Sequence, residues 1–281
     1  MEVLTKVENV KKYTSRIKTS GKTIGFVPTM GALHQGHLEL MKRAKKENDI
    51  LAVSIFVNPI QFNNPEDLKK YPRDLYRDIK LLEEVGCDLL FVPDEKEMYP
   101  EGKPDKQYNF GNLEHVMEGY YRPGHFNGVA IVVKRLFDIV EPDKAYFGEK
   151  DYQQLAIINK LTEKEKLDIK IVPCPIVREP DGLAMSSRNM RLNDNDRKLA
   201  ATIHHILNES VKRKNNKSPD ELREWVKKKF DEIDKFDLEY FEIADGINLQ
   251  PVKKWDDNVK TLGFVAVNLS GVRLIDNIRY I

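Results

Sequence analysis

Cysteine and tryptophan are nearly absent: the 281-residue chain holds two of each. Cys87 and Cys174 lie far apart, each in or beside an apolar stretch. That spacing matches neither a disulfide framework nor a thiolate metal motif, so the expectation is a pair of buried free thiols in a reducing compartment. An excess of charge is missing too, since 46 Lys and Arg stand against 45 Asp and Glu, a formal net charge of +1. With no global field, neither nucleic acid nor a membrane surface is expected as a partner. No run of about 18 apolar residues occurs, and Met1-Glu2-Val3-Leu4-Thr5-Lys6 has no apolar signal core. The chain reads as a soluble, cytoplasmic protein without internal repeats or low-complexity segments.

The length allows two domains, each with its own core. Up to about residue 175, short continuous apolar runs alternate with amphipathic segments. The runs at 23–27, 50–57, 89–92, 145–147 and 169–173 are predicted as strands covered on both faces. Segments 38–47, 74–85, 128–139 and 151–161 are predicted as helices, with Gly86 and Pro142 as stop signals. This alternation predicts an α/β fold, a doubly wound parallel sheet whose ligand sits beyond the carboxyl ends of the strands. After a boundary near 175–181 the texture changes. Helices are predicted at 192–212 and 219–233, then strands at 238–244, 261–269 and 272–277, the last two joined by a Ser270-Gly271 turn. The run Lys227-Lys228-Lys229 lies opposite the apolar face Leu222, Trp225, Val226 and Phe230, and reads as a solvated helix face.

Four segments carry chemistry. Pro28-Thr29-Met30-Gly31-Ala32-Leu33-His34-Gln35-Gly36-His37 stands where the first predicted strand hands over to a helix. Unpaired N–H groups at a helix start suit phosphate, Gly36 permits close approach of a base or sugar, and two imidazoles supply donors. A catalytic zinc site would need a third ligand, which no supporting spacing supplies. Phe147-Gly148-Glu149-Lys150-Asp151-Tyr152-Gln153-Gln154 repeats the strand–turn–helix pattern, with Lys150 and Gln154 one helical turn apart. Asp181-Gly182-Leu183-Ala184-Met185-Ser186-Ser187-Arg188-Asn189 has the hydroxyls and guanidinium of an anion-binding loop. In the long proline-held segment from Asn58 to Asp74, Asn58 and Gln61 offer amides suited to a small hydroxy acid. A further segment, Tyr121-Arg122-Pro123-Gly124-His125, places Arg122 and His125 where either could bind a carboxylate or phosphate.

These motifs, with Asn-Pro-Ile-Gln-Phe at 58–62 and Arg-Pro-Gly-His-Phe-Asn-Gly-Val at 122–129, occur in one order and closely resemble the pantothenate synthetase (pantoate–β-alanine ligase) family. The resemblance covers nearly the whole chain. It implies a Rossmann-like domain over 1–176 that binds ATP and pantoate, and a small α+β lid over 177–281. It implies an AMP-forming ligase: pantoate attacks the α-phosphate of Mg²⁺-ATP, and β-alanine then attacks the pantoyl adenylate. His34, His37, Lys150 and Arg188 are the implied catalytic residues, with His37 as the proton donor. ATP is expected along Met30, Gly31, Ala32, Leu33, His34, Gln35, Gly36 and His37, along Gly148, Glu149, Lys150 and Asp151, and against Val177, Met185, Ser186, Ser187 and Arg188. Pantoate or β-alanine is expected at Met30, Asn58, Gln61 and Gln154, and Asp78 near the metal. A homodimer joined through the first domain is implied as well. The lid loop lacks both lysines of the Lys-Met-Ser-Lys-Ser pattern of related synthetases, so Lys150 is expected to supply the missing charge. A cofactor adenylyltransferase would share the His-x-Gly-His turn without pairing Asn58 and Gln61 with Gln154.

Overall fold

In the computed structural model, which describes residues 1–281, the first half alternates strand and helix. The strands are β1 Glu2–Leu4, β2 Ile24–Thr29, β3 Ile50–Ile55, β4 Leu89–Phe91, β5 Lys144–Gly148 and β6 Lys170–Cys174. The helices are α1 Val7–Thr19, α2 Gln35–Glu47, α3 Pro65–Lys70, α4 Leu75–Glu84, α5 Glu95–Met98, α6 Met117–Tyr121, α7 His125–Val140 and α8 Tyr152–Lys164. The second half adds α9 Asp194–Ala200, α10 Thr202–Lys212 and α11 Pro219–Asp231, then β7 Phe236–Asp245, β8 Thr261–Leu269 and β9 Val272–Arg279. No helix is long and apolar enough to cross a membrane.

Strands β1–β6 form one parallel sheet in the order β1-β4-β3-β2-β5-β6. Every residue of β3 is buried, as a strand covered on both faces requires. On one face Val10 of α1, Val129 and Phe137 of α7 and Ile157 of α8 pack on Ile24 and Phe26. On the other, Leu38, Met41 and Ala44 of α2 and Leu82 of α4 pack on Val27 and Val53. Twelve of the sixteen residues of α7 are buried, so this helix is core nearly all round. The chain runs from β2 through β3 to β4 in one direction and returns to place β5 on the other side of β2. The carboxyl ends of β2 and β5 therefore flank a topological switch point, where such sheets bind ligands. Both cysteines are buried free thiols.

The small sheet is antiparallel, β7-β8-β9. Ile203 and Leu207 of α10 and Val226 and Phe230 of α11 pack against its Val265 and Val267. Ser218 and Glu221 form a capping box at the start of α11. Ser270 and Gly271 take φ of 50° and 77°, the left-handed pair that a two-residue hairpin favours. The units pack through Met117 and Tyr152 on Ala244, Leu262 and Phe264.

One predicted element needs correction, and some observed elements were not predicted. The helix expected over 192–212 is interrupted at Ala201, giving α9 and α10. Strand β1 and helix α1 have no counterpart in the sequence reading. β1 is only three residues long at a sheet edge. α1 has Lys6 at its N-cap position and no side-chain cap from it. Its cap comes from far along the chain: the Val7 amide donates to Glu97 Oε1 of α5 at 2.7 Å. A local signal is absent because the orphan N–H finds a tertiary partner. Glu97→Ala is expected to lower the unfolding free energy by about 1 kcal/mol, the usual size of a lost cap. Glu97→Gln keeps an acceptor and should cost less, read from urea midpoints. Equal losses would show instead that the Lys6–Glu97 ion pair carries the effect.

Candidate active site

The turn after β2 is built around a buried carboxylate. Gly31 and Ala32 take φ of 78° and 51°, turning the Ala32 and Leu33 amides the same way. They donate to Asp78 Oδ2 and Oδ1, each at 2.8 Å. Asp78 is 1% exposed. Burial pushes its carboxyl above the usual range, against the pull of those two amides. Its oxygens brace the turn, and the side chain lines a separate cavity behind it. No group of three His, Cys, Asp or Glu side chains is arranged to hold a metal ion.

His34 caps α2, and its Nδ1 accepts the Gly36 amide at 3.1 Å. His37 Nδ1 accepts the His34 amide at 3.4 Å. The rings lie 4.0 Å apart between centroids. Burial first, then the neighbouring His37 and Lys150, lowers His34 to about 2. Burial likewise lowers His37 to about 4. Both rings are neutral near pH 7, and because each Nδ1 accepts, each carries its proton on Nε2. A side chain at Gly36 would have its Cβ 2.9 Å from the His34 ring. Glycine here makes room first for the capping imidazole.

Beyond β3, Asn58 is 1% exposed and fully engaged. Its Nδ2 donates to the Gly128 carbonyl at 3.2 Å and to Gln61 Oε1 at 2.9 Å, while Tyr99 donates to its Oδ1 at 2.9 Å. The carbonyl can only accept, so the sense of both amides follows: Gln61 turns its oxygen to Asn58 and its NH₂ toward Met30 Sδ and the cleft. Asn58 positions the Gln61 amide, and Gln61 presents its donors to the cleft. His125 Nδ1 donates to the Gln61 carbonyl at 2.8 Å and its Nε2 accepts from Arg122 at 3.1 Å. Burial lowers His125 to about 3, so it is a neutral brace. At Gly128 a Cβ would fall 2.5 Å from the Ile60 carbonyl, so glycine lets this loop rest on α7.

Lys150 stands in the turn after β5, its amine 3.7 Å from Asp151. The turn is pinned from the small unit, where Asn277 Nδ2 donates to the Glu149 and Lys150 carbonyls at 2.8 and 3.1 Å. Ser186 Oγ accepts the Arg188 amide, Ser187 Oγ meets the Tyr71 hydroxyl at 3.1 Å, and Arg188 pairs with Asp67.

These groups line one cleft at the switch point. Met30, His34, Gly36, His37, Asn58, Gln61, Gly148, Lys150, Asp151, Gln154, Val177, Met185, Ser186, Ser187 and Arg188 all face it. Five residues expected along ATP do not. Gly31 and Ala32 line a separate cavity behind the turn, Leu33 is core, Gln35 bonds Glu39 on the surface, and Glu149 contributes its carbonyl to Asn277. Arg122 and His125 line a small neighbouring cavity that shares Lys150, Asp151 and Gln154. Sequence reading missed the apolar wall of Phe56, Val129, Val132, Val133 and Leu136, and also Tyr71. The all-round apolarity of α7 was the available signal for the wall. Asn277 carried none, being 127 positions from Lys150.

The family model described as pantoate-beta-alanine ligase matches residues 2–279 of the chain. The pantothenate synthetase of Porphyromonas gingivalis is 47% identical over 281 residues, covering 100% of this chain and 99% of its own. That of Azobacteroides pseudotrichonymphae is 50% identical, covering 100% of both. The crystal structure of pantothenate synthetase from Thermus thermophilus superposes with a TM-score of 0.93 at 41% identity, covering 100% of this chain and 99% of that one. A pantoate-beta-alanine ligase from Francisella tularensis, complexed with beta-gamma ATP and beta-alanine, gives 0.83 at 36% identity, covering 100% and 98%.

Two outcomes follow from the turn. Unfolded histidines titrate near 6.5, whereas folded His37 titrates near 4. Between these values the unfolded chain binds more protons, so stability rises with pH across that window and levels above it. Urea midpoints should fall as pH drops from 6.5 to 4, and His37→Asn should make the decline shallower. An unchanged slope would assign it to other groups. Asp78→Asn leaves one buried amide facing an NH₂. It should destabilise by about 1–3 kcal/mol and speed hydrogen exchange at Ala32 and Leu33; unchanged protection there would remove the bracing role.

Proposed function

Because the chain belongs to the pantoate–β-alanine ligase family, which condenses pantoate with β-alanine at the expense of ATP through an acyl adenylate, we propose the following roles for its cleft. The triphosphate lies over the start of α2 and against Lys150, Ser186, Ser187 and Arg188. Pantoate lies against Gln61 and Gln154, its carboxylate or hydroxyls meeting the NH₂ of Gln61 and its methyl groups meeting the α7 wall. The observation that carries this reading is convergence. Two Nε2–H donors and a lysine flank the switch point, and the Gln61 amide, its sense defined, presents its NH₂ in the same cleft.

In the first half-reaction a pantoate carboxylate oxygen bonds to the α-phosphorus, and the bond to the bridging oxygen breaks to release pyrophosphate. This displacement needs positioning and positive charge rather than a protein nucleophile. Neutral His34 and His37 donate Nε2–H hydrogen bonds to the phosphate oxygens as charge shifts onto them. We infer that His37 acts as a hydrogen-bond donor and not as an acid, since a ring lowered to about 4 carries no spare proton at neutral pH. In the second half-reaction the β-alanine amine attacks the acyl carbon and AMP leaves. Closing the cleft to water protects the adenylate. We propose residues 177–281 as the lid and 1–176 as the body.

Magnesium fits as an ion carried in on ATP. It keeps several waters and takes ligands from phosphates, and the structure has no three-ligand cluster to hold a resident ion. A homodimer through the first unit and a cytoplasmic setting are proposed on the family resemblance alone.

Pyrophosphate release from ATP is expected with pantoate alone, and steady turnover to AMP when β-alanine is added. His34→Ala and His37→Ala should each slow adenylation by about two to three decades, the scale of losing one preorganised donor. No AMP from the three substrates together would overturn the reading, and a loss under about threefold in either variant would remove that histidine's role.

A further inference from the structure

Arg188 makes one side-chain hydrogen bond in the protein, from Nη2 to Asp67 Oδ2 at 2.7 Å. The other oxygen of Asp67 accepts from Arg191 Nη1 at 2.8 Å. Asp67 belongs to α3, on the body side of the cleft, whereas Arg188 lies in the lid loop and Arg191 just after it. One carboxylate against two guanidiniums leaves a positive charge in this cluster. Arg188 presents five N–H donors, so its remaining donors stay available on the cleft side. The arginine lies over the Tyr71 ring, 5.8 Å from its centroid, and the Tyr71 hydroxyl meets Ser187. Segment 67–71 therefore holds the lid loop at two points. Arg191 also reaches the Gly271 carbonyl of the β8–β9 hairpin at 3.4 Å, which extends the tie into the small unit. Asp67 itself does not line the cleft.

We propose that Asp67 is a positioning residue for ATP: it orients Arg188 toward the triphosphate and ties the lid loop to the body wall. This rests on the reading that Arg188 contacts the triphosphate. One charge-assisted bond, with the Tyr71 ring beneath, narrows the orientations open to the guanidinium, and a restrained group loses less freedom when phosphate binds.

The test measures KM for ATP and for pantoate, kcat and thermal midpoint in the wild type, Asp67→Asn, Asp67→Glu, Arg188→Ala and the Asp67→Asn/Arg188→Ala double variant. Arg188→Ala should raise KM for ATP about tenfold or more, and Asp67→Asn about three- to tenfold with pantoate KM within about twofold. Asp67→Glu should recover part of the loss, and Asp67→Asn should add less than about twofold once Arg188 is gone. An unchanged KM for ATP in Arg188→Ala would overturn the Arg188 reading and this inference with it. If Arg188→Ala behaves as expected but the two losses multiply, or Asp67→Asn leaves KM unchanged, the role of Asp67 alone falls. A lower KM for ATP in Asp67→Asn would show that the carboxylate competes with phosphate, which also overturns it.

Discussion

The carboxylate of Asp78 is the constraint on which the cleft depends. Two consecutive residues in left-handed conformation, one of them an alanine, are costly without support. Buried amides left unpaired would add to that cost. Asp78 settles both by receiving the Ala32 and Leu33 amides. With the turn held, His34 arrives at the start of α2 in an extended conformation, its ring folds back over Gly36, and its own amide meets His37. The two imidazoles are donors of known sense because the backbone occupies their other nitrogens. A helix start that would otherwise expose bare N–H groups becomes a surface of oriented side-chain donors.

The same logic recurs on the other wall. A glutamine in a pocket can turn its amide either way, and a substrate that accepts hydrogen bonds needs the NH₂. Asn58 decides the question by linking Gln61 to the Gly128 carbonyl, a group with only one possible role. His125 holds the backbone of Gln61 from below. None of these supporting groups needs to touch a ligand. Their work is to remove choices, so that fewer are lost when substrates bind.

Between the units, buried pairs differ in kind from the surface ones. Exposed pairs such as Lys42 with Glu39 contribute little. Glu118 of the body is buried and receives Arg273 and Tyr240 of the small sheet, and their pairing holds its carboxyl down near 2 despite burial. Breaking such a pair strands a charge, so these contacts specify one relative placement of the units more than they add stability. Asn277 uses that placement to grip the Lys150 turn. The Lys150 turn is therefore braced from the small unit, which takes part in building the cleft.

Much of this was legible in order along the chain. Continuous apolar runs marked strands buried on both faces, helical spacing of Leu38, Met41 and Ala44 marked the packed face of α2, and Ser270-Gly271 marked the last hairpin. Each of these signals is local, because periodicity and turn chemistry act over a few residues. The set of motifs also named the family, and with it the reaction. What stayed hidden depended on partners distant in sequence. The cap of α1 comes from Glu97, the brace of the histidine turn from Asp78, the sense of Gln61 from Asn58 and Gly128, and the anchor of Lys150 from Asn277. A residue type states what hydrogen bonds it is able to make; only tertiary structure decides which of them are already taken. That is why the sequence by itself determined which groups could meet phosphate and pantoate, while the fold decided their protonation, their orientation and, for Asp78 and Asn58, that they serve as supports.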